Sequence, residues 1–334
     1  MFKELLGRWQ PARLFKAAFL ACVLVGSSST LALVSCGTAS AALPYGQLHV
    51  SGVNLTSATG QIAVLHGMST HGMQWFGQFA NAGAYQALKS RGANVMRLAM
   101  YTDEGGYLSN PALKNQVFKA ADAAIAQDMY VILDWHILHD GNPQTHESEA
   151  RAFFDEASAR YGNNPAVLYE IYNEPNGNIN WSNNVKPYAN DIIPVIRAHA
   201  PNAVIIVGTT TWSQDVDAAA KDPLPYGNIM YACHFYAGTH GQWLRDKIDT
   251  ARKLGAPIFV SEWGTSAADG NGGVYLDAAT QWLSFLKERN MSWCNWSLCD
   301  KAESSAALTP GSNPNGGWTD SNLSASGKFV FNNF

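Results

Sequence analysis

Past Pro44 the chain is organised by short apolar stretches that return at a steady spacing. The first pieces, GQLHVSG (46–52) and QIAVLHG (61–67), alternate polar and apolar positions and predict a small hairpin leading into a first core strand. Eight runs rich in β-branched residues then follow one another: AVLHG (63–67), NVMRLAM (94–100), MYVILDW (129–135), AVLYEIY (166–172), AVIIVG (203–208), NIMYACHF (228–235), PIFVSEW (257–263) and MSWCNWSL (291–298). Runs that are apolar almost throughout predict strands buried on both faces, as parallel strands covered by helices must be.

Between these runs the period lengthens. Asn110 is placed to cap a helix with Pro111 in its first turn, and Leu113, Val117, Ala120 and Ala124 recur at helical steps. A second helix carries Leu244, Ile248 and Ala251 and is ended by Gly255 and Pro257; a third has Leu276, Ala279, Leu283 and Leu286 on one face and stops near Asn290. Eight strand–helix units predict an α/β fold, a (β/α)8 TIM barrel in a single domain preceded by a short β-hairpin. An open doubly wound sheet is the competing architecture, and the missing Gly-x-Gly-x-x-Gly after the first strand counts against it.

The first 41 residues read differently. MFKELLGRWQPARLFK carries Lys3, Arg8, Arg13 and Lys16 against the single acid Glu4, and a small, apolar stretch follows, the form of an export signal. Gly26 and the run 27–30 interrupt that stretch well short of the roughly 20 residues of a membrane span. Two cleavage points compete: ASA (39–41) fits cleavage before Ala42, whereas LVSC (33–36) resembles a lipobox that would leave a lipid anchor on Cys36. A secreted protein is expected from the first, a membrane-anchored or periplasmic one from the second. Without the leader the chain keeps 18 basic and 25 acidic residues, a net charge of −7, which argues against nucleic acid as a partner. Cys233, Cys294 and Cys299 remain, three thiols that cannot all pair internally and whose spacing fits no zinc site.

In a barrel the reacting groups project from the C-terminal strand ends. Those ends supply His66, His71 and Trp75; Arg97 and Tyr101; Asp134, Trp135 and His136; Asn173 and Glu174; Thr209 to Trp212; His234 and Tyr236; Glu262 and Trp263; and Asn295 and Trp296. Two carboxylates thus face one bowl ringed by aromatic and amide side chains. Sugar rings offer apolar faces to aromatics and hydroxyls to directed polar groups, so this composition suits a carbohydrate. Cleaving a glycosidic bond needs one carboxyl to protonate the leaving oxygen and a second to meet the cation-like carbon, and Glu174 and Glu262 can supply both. Pro175 disfavours helix at Glu174, so the chain hands this acid to the bowl.

The motifs GMSTHGMQW, DWH, IYNEPNG, CHFYAGTH, SEWGTS and NWSLCDKAESSAAL, in order over about residues 45 to 310, resemble those of the bacterial endo-β-1,4-glucanases (cellulases) of glycoside hydrolase family 5. The resemblance implies that residues 42–334 form one catalytic barrel. It further implies retaining double displacement on internal β-1,4 bonds of cellulose and related β-glucans, with Glu174 as acid/base and Glu262 as nucleophile. Arg97 and Tyr236 would then hold the nucleophile ionised, Asn173 would bind the sugar 2-hydroxyl, and His136 and His234 would line the cleavage point. His71, Trp75, Tyr101, Trp296, Lys301 and Glu303 would grip neighbouring glucose units. No metal or other cofactor is expected, and a monomer is.

Blander readings stand beside these. Glu174 and Glu262 could be structural acids paired with Arg97, but one arginine cannot neutralise both. His136, His139, His146 and Glu147 invite a metallohydrolase reading without offering a metal-site spacing. Trp181, Trp212 and Trp243 read as ordinary loop or core aromatics, and Lys301 and Glu303 as a simple surface pair. Mannan, xylan or mixed-linkage glucan would suit the same mechanism, and a non-catalytic carbohydrate-binding barrel would be expected to lack one of the two carboxylates.

Overall fold

The computed structural model describes residues 43–162 and 164–334. The export signal, the Ala42 cleavage point and the Cys36 anchor lie outside the described residues. Among the described residues ten strands occur in chain order: β1 (Leu48–Ser51), β2 (Asn54–Ser57), β3 (His66–Thr70), β4 (Val95–Tyr101), β5 (Tyr130–His136), β6 (Val167–Glu170), β7 (Ile205–Val207), β8 (Ile229–Tyr236), β9 (Ile258–Gly264) and β10 (Trp293–Leu298). β3 to β10 close into a parallel barrel in the order β10-β3-β4-β5-β6-β7-β8-β9. The TIM barrel expected from the apolar spacing is therefore the fold.

β1 and β2 form the expected antiparallel hairpin, but its second strand is Asn54–Ser57; the stretch 61–67 contributes only a bridge from Ile62 to Thr56 before β3 begins. The hairpin closes the N-terminal end of the barrel. Its Leu48 and Leu55 share an apolar cluster with the inward residues Val95, Ile132, Leu168 and Ile206, and the Tyr130 hydroxyl donates to the Gly46 carbonyl at 2.8 Å. The helix over Leu113–Ile125 starts two residues later than expected, without a side-chain cap; the Asn110 carbonyl accepts from the Leu113 amide at 3.0 Å in a turn. Helices Gln242–Lys253 and Leu276–Glu288 match their predicted periodicity, though Leu276 itself is exposed and Trp282 and Phe285 take much of the buried face. Cys233, Cys294 and Cys299 are free thiols in the interior.

Strand alternation positions the site. On β4 the outward Met96, Leu98 and Met100 pack against the helices, while Val95, Arg97, Ala99 and Tyr101 face the barrel axis. β5 repeats this with Tyr130, Ile132, Asp134 and His136 inward, and β8 with Met230, Ala232, His234 and Tyr236. β9 breaks the rule: Phe259 and Glu262 stand opposite Ala232 and His234, so β9 spends three residues where its neighbour spends two. The same extra residue shows against β10, where Val260 and Trp263 pair with Trp293 and Asn295. This bulge lets two consecutive side chains, Ser261 and Glu262, reach the interior.

Candidate active site

Arg97 is the hub. It is fully buried, and its planar fork suits several oxygen partners at once. Nε donates to Glu170 Oε2 at 2.6 Å, Nη1 to Glu262 Oε2 at 2.9 Å and to Ser69 Oγ at 3.3 Å, and Nη2 to Asn173 Oδ1 at 2.6 Å, with Asp134 Oδ2 3.0 Å away. The other oxygen of Glu262 accepts from the Tyr236 hydroxyl at 2.7 Å. Gly264 makes room for this tyrosine, since a Cβ there would sit 2.3 Å from its ring. On the opposite wall Glu174 Oε1 lies 2.9 Å from His234 Nδ1, and His234 Nε2 lies 3.0 Å from Ser261 Oγ, which itself donates to Glu170 Oε1 at 2.6 Å. One oxygen of Glu174, one oxygen of Glu262 and one ring nitrogen of His234 all lie within 4.8 Å of one another. Among the described residues this trio is the group that could also converge on a metal ion.

The two carboxyls are driven apart in acidity. Burial, reinforced by the negative Glu262, pushes Glu174 above the ordinary carboxylate range despite the opposing pull of His234. Burial pushes Glu262 upward too, but His234, Arg97, His136 and the Tyr236 hydrogen bond outweigh it and hold this group below the range. Burial opposes charge on His234, yet its contacts with Glu170 and Glu174 raise it to about 9. His136, hydrogen-bonded to Asp134 at 2.7 Å, is lowered to about 3 by burial and by Arg97. One carboxyl that keeps its proton beside one that keeps its charge is a pairing suited to acid and nucleophile.

Above the pair opens a cavity of about 1060 Å³, beyond the size that encloses a small ligand. On the β3 side Trp75, Tyr101, His136 and Trp296 form a connected aromatic wall, with ring centroids 5.0 Å apart for Trp75–Tyr101, 4.2 Å for Tyr101–His136 and 5.3 Å for His136–Trp296. His71 tilts against Trp296 at 5.0 Å and lies 3.4 Å from Lys301 Nζ, which pairs with Glu303 at 2.6 Å.

Residues 56–302 match the sequence profile described as Cellulase (glycosyl hydrolase family 5). The chain belongs to glycosyl hydrolase family 5. It is similar to an endoglucanase of Clostridium saccharobutylicum, 57% identical over 287 residues, covering 85% of this chain and 64% of the relative. It is also similar to Endoglucanase A of Evansella cellulosilytica, 58% identical over 268 residues, covering 80% and 55%. The chain thus spans less than two thirds of the length of either. Among solved structures, the catalytic domain of Thermobifida fusca endoglucanase Cel5A in complex with cellotetraose superimposes with a TM-score of 0.82 at 38% identity, covering 86% of this chain and 96% of that one.

In this family 5 barrel the thirteen residues to which the resemblance gives a role gather at one strand-end mouth, whereas His66, also read as a strand-end residue, opens β3 and stacks on Trp293, and Trp135 and Trp263 pack into the core outside the barrel. Glu174, Glu262, His71, Trp75, Tyr101, His136, His234, Tyr236, Trp296, Lys301 and Glu303 line the cavity; Arg97 and Asn173 lie beneath it. The Asn173 amide is already committed, accepting from Arg97 and donating to the Ile137 carbonyl at 2.9 Å, so a sugar hydroxyl would have to share it. Lys301 and Glu303 do pair with each other on the cavity wall, with the Glu303 side chain buried and the Lys301 side chain exposed. Sequence reasoning passed over Glu170, although its inward parity with Glu174 and its place opposite Asp134 mark it as an interior acid. It also read Trp212 and Trp243 as ordinary aromatics; both are half-exposed in the cavity wall, whereas Trp181 is indeed buried and donates to the Asp222 carbonyl at 2.8 Å.

Proposed function

We propose that this chain is an endo-acting, retaining glycoside hydrolase that cuts internal β-1,4-glucosidic bonds in cellulose and related β-glucans. The observation that carries this reading is the approach of Glu174 and Glu262 to within 4.8 Å with their acidities displaced in opposite directions. Retaining enzymes hold their carboxyl groups about 5–5.5 Å apart, and inverting ones about 6.5–9.5 Å apart to admit a water between them. In this reading the ionised Glu262 attacks the anomeric carbon while Glu174 gives its proton to the departing oxygen. The glycosidic C–O bond breaks and a glycosyl ester forms on Glu262. Esterification removes the negative charge that had raised Glu174, so this group becomes a base, takes a proton from water and directs the hydroxide to the same carbon, releasing Glu262.

Endo action is supported by the placing of aromatic side chains on both sides of the mouth, which lets a polymer cross it. A glucan substrate is supported by the endoglucanase names of the relatives and by cellotetraose in the Thermobifida fusca complex. An exported enzyme suits a substrate too large to enter a cell, in keeping with the basic and apolar leader. Purified protein should release reducing sugar from carboxymethyl-cellulose while its viscosity falls early. A folded protein that releases none, but acts on mannan or xylan, would move the reading to those polymers.

A further inference from the structure

Three tryptophans in the described chain stay strongly exposed, Trp75 at 41%, Trp212 at 47% and Trp243 at 47%, and all three line the one cavity above the carboxyl pair. Large aromatics left in water within a single cleft mark a binding surface. Trp75 follows β3 and Trp212 follows β7, which stand opposite each other in the eight-strand order; Trp243 follows β8, next to β7. The cleft therefore has one strongly exposed tryptophan at the β3 pole and two at the other.

The two at the β7/β8 pole are built as a unit. Thr211, Trp212 and Ser213 all adopt left-handed backbone, with φ of 57°, 52° and 56°, a costly arrangement for three non-glycine residues. It is pinned at several points. The Trp212 amide donates to the Pro175 carbonyl at 3.0 Å, next to Glu174, and the Thr210 and Thr211 hydroxyls donate to Asp215 Oδ2 at 3.0 and 2.6 Å. Lys247 Nζ donates to the other oxygen of Asp215 at 2.6 Å and sits 5.6 Å from the centroid of the Trp243 ring. Trp243 also leans on His240, with centroids 5.7 Å apart. One Asp–Lys link thus braces both indoles.

We infer that Trp243, beside Trp212, is a sugar platform that extends the cleft at the β7/β8 pole by a further subsite for the β-linked hexose chain that crosses the active site. The inference rests on the function proposed above. A ring fixed by a cation on one side and a histidine on another loses little freedom when a pyranose face stacks on it. Its contribution falls only on substrates long enough to reach it.

The test compares kcat/KM for cellohexaose and cellotriose in wild type, Trp243→Ala and Trp243→Phe. Trp243→Ala should lower the hexaose-to-triose ratio about three- to tenfold, the loss expected for one aromatic stack, and Trp243→Phe should recover most of it. An unchanged ratio in Trp243→Ala, with both substrates slowed equally or neither slowed, overturns the inference while leaving the proposed function standing. A folded wild type that cleaves neither oligosaccharide overturns the proposed function, and the platform with it.

Discussion

The lower and upper halves of the barrel interior are made by the same strands on the same alternation, yet they are chemically opposite. Two residues along β4 lead from Val95 to Arg97, along β5 from Ile132 to Asp134, along β6 from Leu168 to Glu170, and along β8 from Ala232 to His234. A rise of roughly 6.6 Å therefore separates a wholly apolar layer from a layer of charged and hydrogen-bonded groups. The lower layer needs only to exclude water, and its favourable free energy follows the area buried. The upper layer gains little net stability from its ion pairs, because each charge has been taken out of water. What it gains is fixed geometry: every oxygen of Glu170 and Glu262 has a protein donor, so neither can turn away. The hairpin-sealed half therefore carries stability and the Arg97 half carries chemistry.

That division can be broken most sharply from the upper side. Glu262→Ala should lower kcat by on the order of 10⁴-fold or more on every substrate, with an unfolding midpoint close to wild type in urea titration. Glu174→Ala should keep substantial activity on aryl glycosides whose leaving group needs no proton, so an equal loss on both substrate types would exchange the two roles. From the lower side, Ile132→Ala should cost about 2–5 kcal/mol of unfolding free energy and leave kcat within about twofold of wild type at a temperature where the variant is folded. A large kcat loss there would mean the two halves are not separable.

A milder substitution probes the electrostatics of the upper layer. Turnover requires Glu262 ionised and Glu174 protonated, so kcat/KM should rise with pH through the lowered pKa of Glu262 and fall through the raised pKa of Glu174. Tyr236→Phe removes a donor that favours the Glu262 carboxylate. The acid limb should therefore move to higher pH, with about a tenfold loss of kcat, while the basic limb, which belongs to Glu174, moves less. A shift confined to the basic limb would contradict the assignment.

Which parts of this were legible in sequence follows from the same physics. The barrel announced itself because parallel strands covered on both faces must be apolar throughout, and Glu174 and Glu262 stood out because a carboxylate ending such a run has no structural excuse. The bulge in β9 was hidden, because it exists only as a mismatch of register with β8 and β10 and leaves no mark in the residues 257–263 themselves. Glu170 was overlooked because a single arginine was weighed against two acids, whereas Arg97 in fact meets Asp134, Glu170 and Glu262 and leaves Glu174 to His234. Trp212 was marked only by its place at a strand end, and Trp243 by nothing in the sequence pattern. Trp212 sits in a left-handed turn and Trp243 one turn before Lys247 in the helix Gln242–Lys253, and hydrophobic periodicity registers neither setting. The helix starts at Leu113 because the residues before it form tight turns, with the Leu113 and Lys114 amides donating to the Asn110 and Pro111 carbonyls.

The most direct test of the carboxyl pair is the configuration of the first product. Cellopentaose hydrolysis followed by proton NMR in the opening minutes, before mutarotation, should show the β-anomer of the new reducing end appearing first, with the α-anomer growing only later. Initial appearance of the α-anomer would mean that water, not Glu262, meets the anomeric carbon, and would contradict the account.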